Sequence, residues 1–260
     1  MKITFFKYQG TGNDFIIMDN RTGIYNELTT AQIKFMCNRR IGIGADGLML
    51  LNQHEGYDFE MKYYNADGRE SSMCGNGGRC LTKFASDIGL VKDDYYFIAI
   101  DGEHKASIEY DGTVSLKMAD VNKIEQNRDD YIVNTGSPHY VKFADNIMHE
   151  DIVKKGRDIR NSPMFVKDGI NVNFVEQGDE ADKIMVRTYE RGVEDETLSC
   201  GTGVTAAALV CSHNDNGFNR VEVKTLGGFL NVEYDKIGDS YKNIWLNGPA
   251  IKVFEGHIEL

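Results

Sequence analysis

The sequence predicts an α/β protein built from two similar halves, and three observations carry that expectation. Strand-like alternation runs through the whole chain, two apolar stretches have helical spacing, and both of those stretches open on the same Cys-Gly-x-Gly pattern, once in each half. A chain of 260 residues can hold one large domain or two smaller ones, and the repeat favours two.

In the first half, apolar and polar residues alternate in ITFFKYQ at 3–9, DFEMKYY at 58–64, YYFIAI at 95–100, KASIEY at 105–110 and TVSLKM at 113–118. Such alternation marks half-buried strands, and Asp111-Gly112 is a hairpin signal between the last two. The second half repeats the style in INVNFVE at 170–176, KIMVRTYE at 183–190, RVEVKT at 220–225, GFLNVEY at 228–234 and KNIWLNG at 242–248, with Gly227-Gly228 as a turn. Cys80, Leu81, Phe84, Ala85 and Ile88 share one helical face that Gly89 ends; Val204, Ala207, Ala208 and Cys211 share another, ended by Asn214 and Gly217. Further helices are expected near Ala31 to Arg39 and Glu150 to Arg157. The division follows as residues 1–119 with Cys74 and residues 120–250 with Cys200, the boundary lying near Ala119 to Asn122. A last strand within 251–260 is free to return to either half, the first included. No Pro- or Ser-rich linker separates the halves, so close packing is expected.

Composition narrows the partners. Hydrophobic residues at 41%, charged residues at 27% and 27 Gly against 3 Pro exclude a disordered or collagen-like chain. The 29 Lys and Arg against 40 Asp and Glu give a net charge of -11, which opposes nucleic acid or an anionic membrane and leaves a small molecule. The longest apolar run, Ala206 to Cys211, is far short of the roughly 20 residues that cross a bilayer. MKITFFKYQG lacks the pattern of a secretory signal, so a cytoplasmic location is expected.

The repeat carries the chemistry. A strand ending at Tyr64 leads through NADGRESSM to Cys74-Gly75-Asn76-Gly77, and a strand ending at Tyr189 leads through ERGVEDETLS to Cys200-Gly201-Thr202-Gly203. A thiol at a helix start gains thiolate character from the unpaired N–H groups and the helix dipole. The small residues that follow let the amides of Gly75, Asn76, Gly201 and Thr202 approach an anion. Two such thiols facing one carbon beside a carboxylate would remove its proton from one side and return one from the other, inverting the stereocentre, with N–H donors on the developing enediolate. A lone buried cysteine is ordinarily core packing, and Cys37, Cys80 and Cys211, within apolar helical patterns, are read that way. Cys74 and Cys80 cannot pair, since six helical residues rise about 9 Å and bridged Cα atoms lie within roughly 7 Å. GTGND, GIGADG and GNGG do not complete a dinucleotide fingerprint in a strand-to-helix turn, and neither paired Cys-x-x-Cys nor His spacing points to a metal. No cofactor is called for.

Together and in this order, GTGNDF at 10–15, GIGADG at 42–47, NADG followed by MCGNGGRC within 65–80, SPH at 137–139, the Asn171 segment, and YERG with SCGTG within 189–203 resemble the diaminopimelate epimerase family, over essentially the whole chain. That group of cofactor-independent amino-acid racemases has two pseudo-symmetric α/β halves, each a mostly antiparallel sheet wrapped around a central helix, with the active site in the cleft between them. The resemblance implies conversion of LL- to meso-2,6-diaminopimelate without pyridoxal phosphate, in lysine and peptidoglycan precursor synthesis. It makes Cys74 and Cys200 the acid/base pair. Gly75, Asn76, Gly201 and Thr202 would hold the reacting carboxylate, and Asn13, Asn65, Asn171, Glu190 and Arg191 would grip the distal amino-acid group, whose ammonium and carboxylate need an acceptor and a bidentate cation. Ser137 and His139 match auxiliary polar positions, and a homodimer is implied.

Each of these residues also has a plainer reading. A Glu beside an Arg is often a solvated surface pair, an Asn a turn former and a His a packed core residue. The chain departs from the family pattern at Ser137, where many members carry Asn, at Gly47, where many carry Gln, and in the 192–199 loop, which is one residue longer than expected. A related thiol-pair racemase acting on proline or hydroxyproline would leave Glu190 and Arg191 without a distal partner; a non-catalytic thiol redox or metal-binding protein would need spacings the chain lacks.

Overall fold

In the computed structural model, residues 2–211 and 216–260 are described. The chain divides into two compact units, Met1–Leu116 with Pro249–Leu260, and Lys117–Gly248. Both are sheet-dominated α/β units with few helices.

The first unit begins with a hairpin, β1 (Lys2–Gly10) and β2 (Asn13–Asp19), whose register pairs Gly10 with Asn13. The turn therefore has two residues, Thr11 and Gly12, both left-handed at φ 50° and 83°, as a twisted hairpin requires. Helix α1 (Thr30–Cys37) follows, its start set by a reciprocal capping box between Thr29 and Gln32. β3 (Gly47–Asn52) lies parallel to β2, and β4 (Phe59–Asn65) antiparallel to β3. A tight turn returns the chain as the short β5 (Glu70–Ser71) against β4, three residues before Cys74. Helix α2 (Gly75–Asp87) then runs until Gly89 at φ 96°. β6 (Asp94–Ala99), β7 (Gly102–Ile108) and β8 (Val114–Lys117) form a meander, β6 parallel to β4. The terminal strand Ile251–Glu259 pairs antiparallel with β1, which places it in this unit. Helix α2 is buried at every residue from Gly75 to Thr82 and again at Phe84 and Ala85, the all-round burial of a helix enclosed by its sheet.

The second unit repeats this connectivity. A short β9 (Glu125–Asn127) pairs with β10 (Asp130–Asn134), β10 forms a hairpin with β11 (Pro138–Phe143), and β12 (Asn171–Gln177) lies parallel to β11. Helix α3 (Ile152–Arg160), capped by Asp151, fills the connection. β13 (Lys183–Glu190) and β14 (Asp195–Thr197) form the hairpin before Cys200, helix α4 (Gly201–Val210) follows, and β15 (Gly217–Thr225), β16 (Gly228–Ile237) and β17 (Ser240–Gly248) close the meander, β15 parallel to β13.

Several strands differ from the sequence expectation. β2 and β3 carry FIIM and LMLL, buried on both faces, so they show no alternation to read. β10 and β11 are short and separated by a Thr-Gly-Ser turn with a proline at the second strand's start. The capping residues place the helices at Thr30–Cys37 and Ile152–Arg160 rather than at Ala31 and Glu150, because Thr29 and Asp151 bond the first helical amides from outside. The turn placed at Gly227-Gly228 is Leu226-Gly227, since Gly228 already pairs with Thr225. The stop expected at Asn214 lies outside the described residues.

Candidate active site

Strand register gives a residue-by-residue correspondence between the two cysteine surroundings. Phe15 pairs with Gly47 and Gly47 with Asn65; His139 pairs with Asn171, whose neighbour Val172 pairs with Tyr189, setting Asn171 opposite Glu190. One step deeper, Met49 pairs with Tyr63 and Asn173 with Thr188. Tyr63 pairs with Ser71 and Thr188 with Thr197, and each cysteine stands three residues beyond. Asn13 therefore corresponds to Ser137, Gly47 to Asn171, Asn65 to Glu190, and Cys74 to Cys200. Residues 64–70 lie between the first pair and 189–196 between the second, so the second hairpin is one residue longer than the first, and Glu194 near its tip takes φ 58°. An ion pair braces each hairpin: Lys62 to Glu70 at 3.7 Å, and Arg187 to Glu196 through two bonds of 2.6 and 2.7 Å. The second, bidentate and largely buried, is the firmer brace.

Cys74 is the N-cap of α2, in extended conformation, and its side chain caps no amide. The first intrahelical bond runs from the Gly78 N–H to the Cys74 carbonyl at 2.7 Å, so the N–H groups of Gly75, Asn76 and Gly77 precede the ladder. The Cys74 Sγ donates to Asn13 Oδ1 at 3.5 Å, and Asn76 Nδ2 donates to the same oxygen at 3.4 Å. The orientation of Asn13 is fixed from the other side, where its Nδ2 donates to Asp46 at 2.6 Å. Asp46 in turn accepts from Arg39 at 2.7 Å, and Arg39 also holds Asp14. Lys7, buried, pairs with Asp14 at 2.7 Å. Burial pushes the Asp14 carboxyl up, but the bonds from Arg39 and Lys7 outweigh it and hold the group at about 2. Asn65, exposed at the end of β4, uses its backbone to close the turn, its N–H donating to the Arg69 carbonyl at 2.9 Å. At Gly47, a Cβ would lie 2.4 Å from the Tyr63 ring, so the tyrosine occupies the space a larger residue would need. Cys37 and Cys80 are buried, and desolvation pushes both thiols up to about 12.

Cys200 is the N-cap of α4 in the same extended form, with the first intrahelical bond from the Val204 N–H to the Cys200 carbonyl at 2.8 Å. Its Sγ lies 3.5 Å from the Thr202 hydroxyl, and the Thr202 carbonyl accepts from the Thr135 hydroxyl at 2.9 Å. The layer beneath is polar. Asn173 Oδ1 accepts from Thr188 at 2.9 Å, while Asn173 Nδ2 lies 3.1 Å from His139 Nδ1 and 3.2 Å from the Tyr140 carbonyl. His139 is fully buried with no partner on Nε2, and burial lowers its pKa to about 3, so the ring is neutral. The Asn171 amide is held from both sides: its Nδ2 donates to the Ser137 hydroxyl at 2.9 Å and its Oδ1 accepts from the Arg191 N–H at 2.9 Å. The Arg191 guanidinium reaches the Ser137 hydroxyl at 3.5 Å and the Asp168 carbonyl at 3.0 Å, and Glu190 accepts from the Thr197 hydroxyl at 2.9 Å. Ser137, Asn171 and Arg191 thus form one group, with Glu190 at the base of the same hairpin. Cys211, with a thiol pushed up to about 12 by burial, stands at the far end of α4.

Two features escaped the sequence reading. Thr135-Gly136 occupies the place of Thr11-Gly12 ahead of its strand, in a three-residue turn rather than a two-residue one, hidden because the flanking residues differ. Arg79, inside α2, is fully buried, which only the surrounding strands decide. Among the described residues, no group of three or more His, Cys, Asp or Glu is placed to hold a metal ion, and no helix is long and apolar enough to cross a membrane.

Comparison with known proteins agrees with this architecture. The profile of the family described as Diaminopimelate epimerase matches residues 5–124 and 131–253. A diaminopimelate epimerase of Flavobacterium psychrophilum is 47% identical over 251 residues, covering 96% of this chain and 98% of that protein. One of Aquifex aeolicus is 35% identical, covering 98% and 97%. Among solved structures, a phenazine biosynthesis protein of the PhzF family from Bacillus anthracis aligns over the whole of both chains with a TM-score of 0.77 at 14% identity. A hydroxyproline epimerase from Agrobacterium vitis aligns over 100% of this chain and 93% of its own with a TM-score of 0.70 at 13% identity, a likeness of fold. With its profile matched across nearly its full length and relatives this close, the chain belongs to the diaminopimelate epimerase family.

Proposed function

We propose that this protein interconverts LL- and meso-2,6-diaminopimelate without pyridoxal phosphate, with Cys74 and Cys200 as the acid/base pair. The observation that carries the reading is the duplicated cysteine at an open helix start, each mounted on the same hairpin within its own unit. A base and an acid on opposite faces of one carbon invert it; a single group returns the proton to the face it came from. The thiolate takes the α-proton, the electron pair moves into the adjacent carboxylate, and the second thiol delivers its proton to the other face. The amides of Gly75, Asn76, Gly201 and Thr202 hold the reacting carboxylate and the charge that develops on it. Asn13, bonded to Cys74, orients that thiol as well as contacting substrate. The distal amino-acid group is held by Asn65, Asn171, Glu190 and Arg191, with Ser137 orienting the guanidinium and His139 buttressing the layer beneath Cys200.

The reading is tested by incubating the protein, after hydroxylamine and chelator treatment, with LL-diaminopimelate and separating the stereoisomers chromatographically. The expected product is meso-diaminopimelate at an undiminished rate. Loss of activity on chelation, or racemisation of proline or trans-4-hydroxyproline in preference to diaminopimelate, contradicts it. The homodimer and the cytoplasmic location that the family implies belong to the same reading, and sedimentation of the purified protein decides the first.

A further inference from the structure

The polar layer beneath Cys200 contains a histidine whose two nitrogens are settled by their neighbours. Asn173 is fully buried, and the groups around its amide allow it one orientation. Its Nδ2 lies 3.2 Å from the Tyr140 carbonyl, which can only accept, and its Oδ1 takes the Thr188 hydroxyl proton at 2.9 Å. Turned over, the amide would set its oxygen against that carbonyl, lone pair to lone pair. The same Nδ2 lies 3.1 Å from His139 Nδ1, and its two protons serve the carbonyl and the ring. A ring nitrogen that accepts is unprotonated, so the neutral imidazole carries its one proton on Nε2. A charged ring, with a proton on Nδ1 as well, would face Asn173 donor to donor and would meet Arg191, the cation that acts on it.

Packing alone does not call for these nitrogens. In the first unit Phe15 fills the place of His139, with Met49 and Tyr63 at the places of Asn173 and Thr188. His139 instead encloses an Nε2–H that has no partner among the described residues, an unfavourable arrangement for a buried donor. The layer also lies against the helix that bears the thiol: a Cβ on Gly203 would come within 2.3 Å of Asn173 Oδ1 and 3.4 Å of the Cys200 Cβ. Imidazole is the side chain that ordinarily exchanges a proton near neutral pH, and one beneath a reactive thiol would compete for the proton that the thiol must deliver.

We infer that Asn173 is a positioning residue that locks His139 as its Nε2–H tautomer and so closes the imidazole as a base beneath Cys200. One nitrogen has its lone pair occupied by the Asn173 amide and the other already holds a proton. The ring can donate a hydrogen bond, but it takes up a proton only if Asn173 turns away. In this unit the group that gains and loses a proton is then the Cys200 sulfur. That consequence rests on the two-thiol reading above, whereas the tautomer does not. The first unit needs no such lock, because the phenyl ring of Phe15 has no lone pair.

The test uses the isotopically nitrogen-labelled full-length protein at neutral pH without substrate, so it decides the tautomer whatever the substrate proves to be. Long-range NMR correlations from the ring C–H protons read both nitrogens of each of the six histidines, and the signals of His139 are those missing from His139→Gln. Nδ1 should resonate as an unprotonated nitrogen and Nε2 as a protonated one, with the full separation of a single tautomer. Asn173→Asp sets an acceptor-only carboxylate against Nδ1 and should move that nitrogen to the protonated position. Asn173→Ala removes the donor and should draw the two signals toward each other as the tautomers exchange. Loss of packing alone would not exchange the character of the two nitrogens. A protonated Nδ1 or a charged ring in the unaltered protein overturns the inference, as does a folded Asn173→Asp variant whose Nδ1 stays unprotonated. Should neither variant fold, the spectrum of the unaltered protein still decides.

Discussion

Beneath the start of α2 the strands carry Phe15, Met49 and Tyr63; at the matching positions beneath α4 they carry His139, Asn173 and Thr188. The first set is apolar, with the Phe15 and Tyr63 rings edge to face at 6.0 Å. The second is a hydrogen-bonded chain ending on a neutral imidazole. A fully buried arginine is placed in the opposite sense, with Arg79 in the apolar half and Thr205 at the matching position of the polar half. Backbone topology is thus duplicated while side-chain chemistry is not. A duplicated scaffold supplies two equivalent helix starts, and an asymmetric lining gives the two like thiols unlike surroundings.

The largest expected effect breaks the pair itself. Cys74→Ala and Cys200→Ala should each lower epimerisation by several orders of magnitude in a steady-state assay, because inversion needs both faces served. A variant that retains a tenth of the activity would remove its cysteine from the chemistry. Next comes the contrast between two glycines at the same helical position. A Cβ on Gly203 would sit 2.3 Å from Asn173 Oδ1, an oxygen held in place by the Thr188 hydroxyl, whereas on Gly77 it would meet the Met49 sulfur at 3.2 Å and the end of Met61 at 3.4 Å. Gly203→Ala should cost about 2–3 kcal/mol or more of stability by overpacking, and Gly77→Ala should lie within about 1 kcal/mol of zero because flexible thioethers yield. Denaturant midpoints measured on the two variants check the order.

Acid sharpens the comparison further. His139 has a folded pKa lowered to about 3 from 6.5, so the unfolded chain binds its proton more tightly. Its contribution is fully present above about pH 6.5 and is lost as pH falls toward about 3. Asp14, held at about 2 from an ordinary 3.8, loses its contribution only below about pH 4, so the two windows separate. Unfolding midpoints between pH 6.5 and 4.5 should fall in the unaltered protein and fall less steeply in His139→Phe, which installs the residue of the first half. An unchanged slope would mean that His139 is not held neutral. The smallest effects belong to the remaining cysteines. Cys37→Ala and Cys80→Ala should cost roughly 1–3 kcal/mol as core truncations, and Cys211→Ala, at the less buried end of α4, should cost less, all with chemistry near normal.

How much of this was legible depended on how local each feature is. The two Cys-Gly-x-Gly helix starts are contiguous, so the repeat and the placing of a cysteine at each helix start could be read directly, as could the amphipathic strands on either side. The supports were not legible, for two physical reasons. β2 and β3 are buried on both faces and so lose the alternation by which a strand is recognised. The equivalence of Phe15 with His139 exists only through pairing register, which brings together residues distant in sequence. Glu190 and Arg191 were read as adjacent ends of one polar grip; in the structure the first accepts from Thr197 while the second is organised by Asn171 and Ser137. Arg79 stood in plain view within MCGNGGRC, but an arginine one turn into a helix is ordinarily solvated, and its burial follows from the enclosing sheet.

The most direct measurement of the central claim is the partition of deuterium when LL-diaminopimelate is turned over in deuterated water and stopped early. Two thiols with separate protons predict that the meso product carries one deuterium at the inverted α-carbon while recovered LL substrate carries almost none. Deuterium entering recovered substrate as fast as product, or a product without deuterium, would contradict an acid and a base supplied by different cysteines.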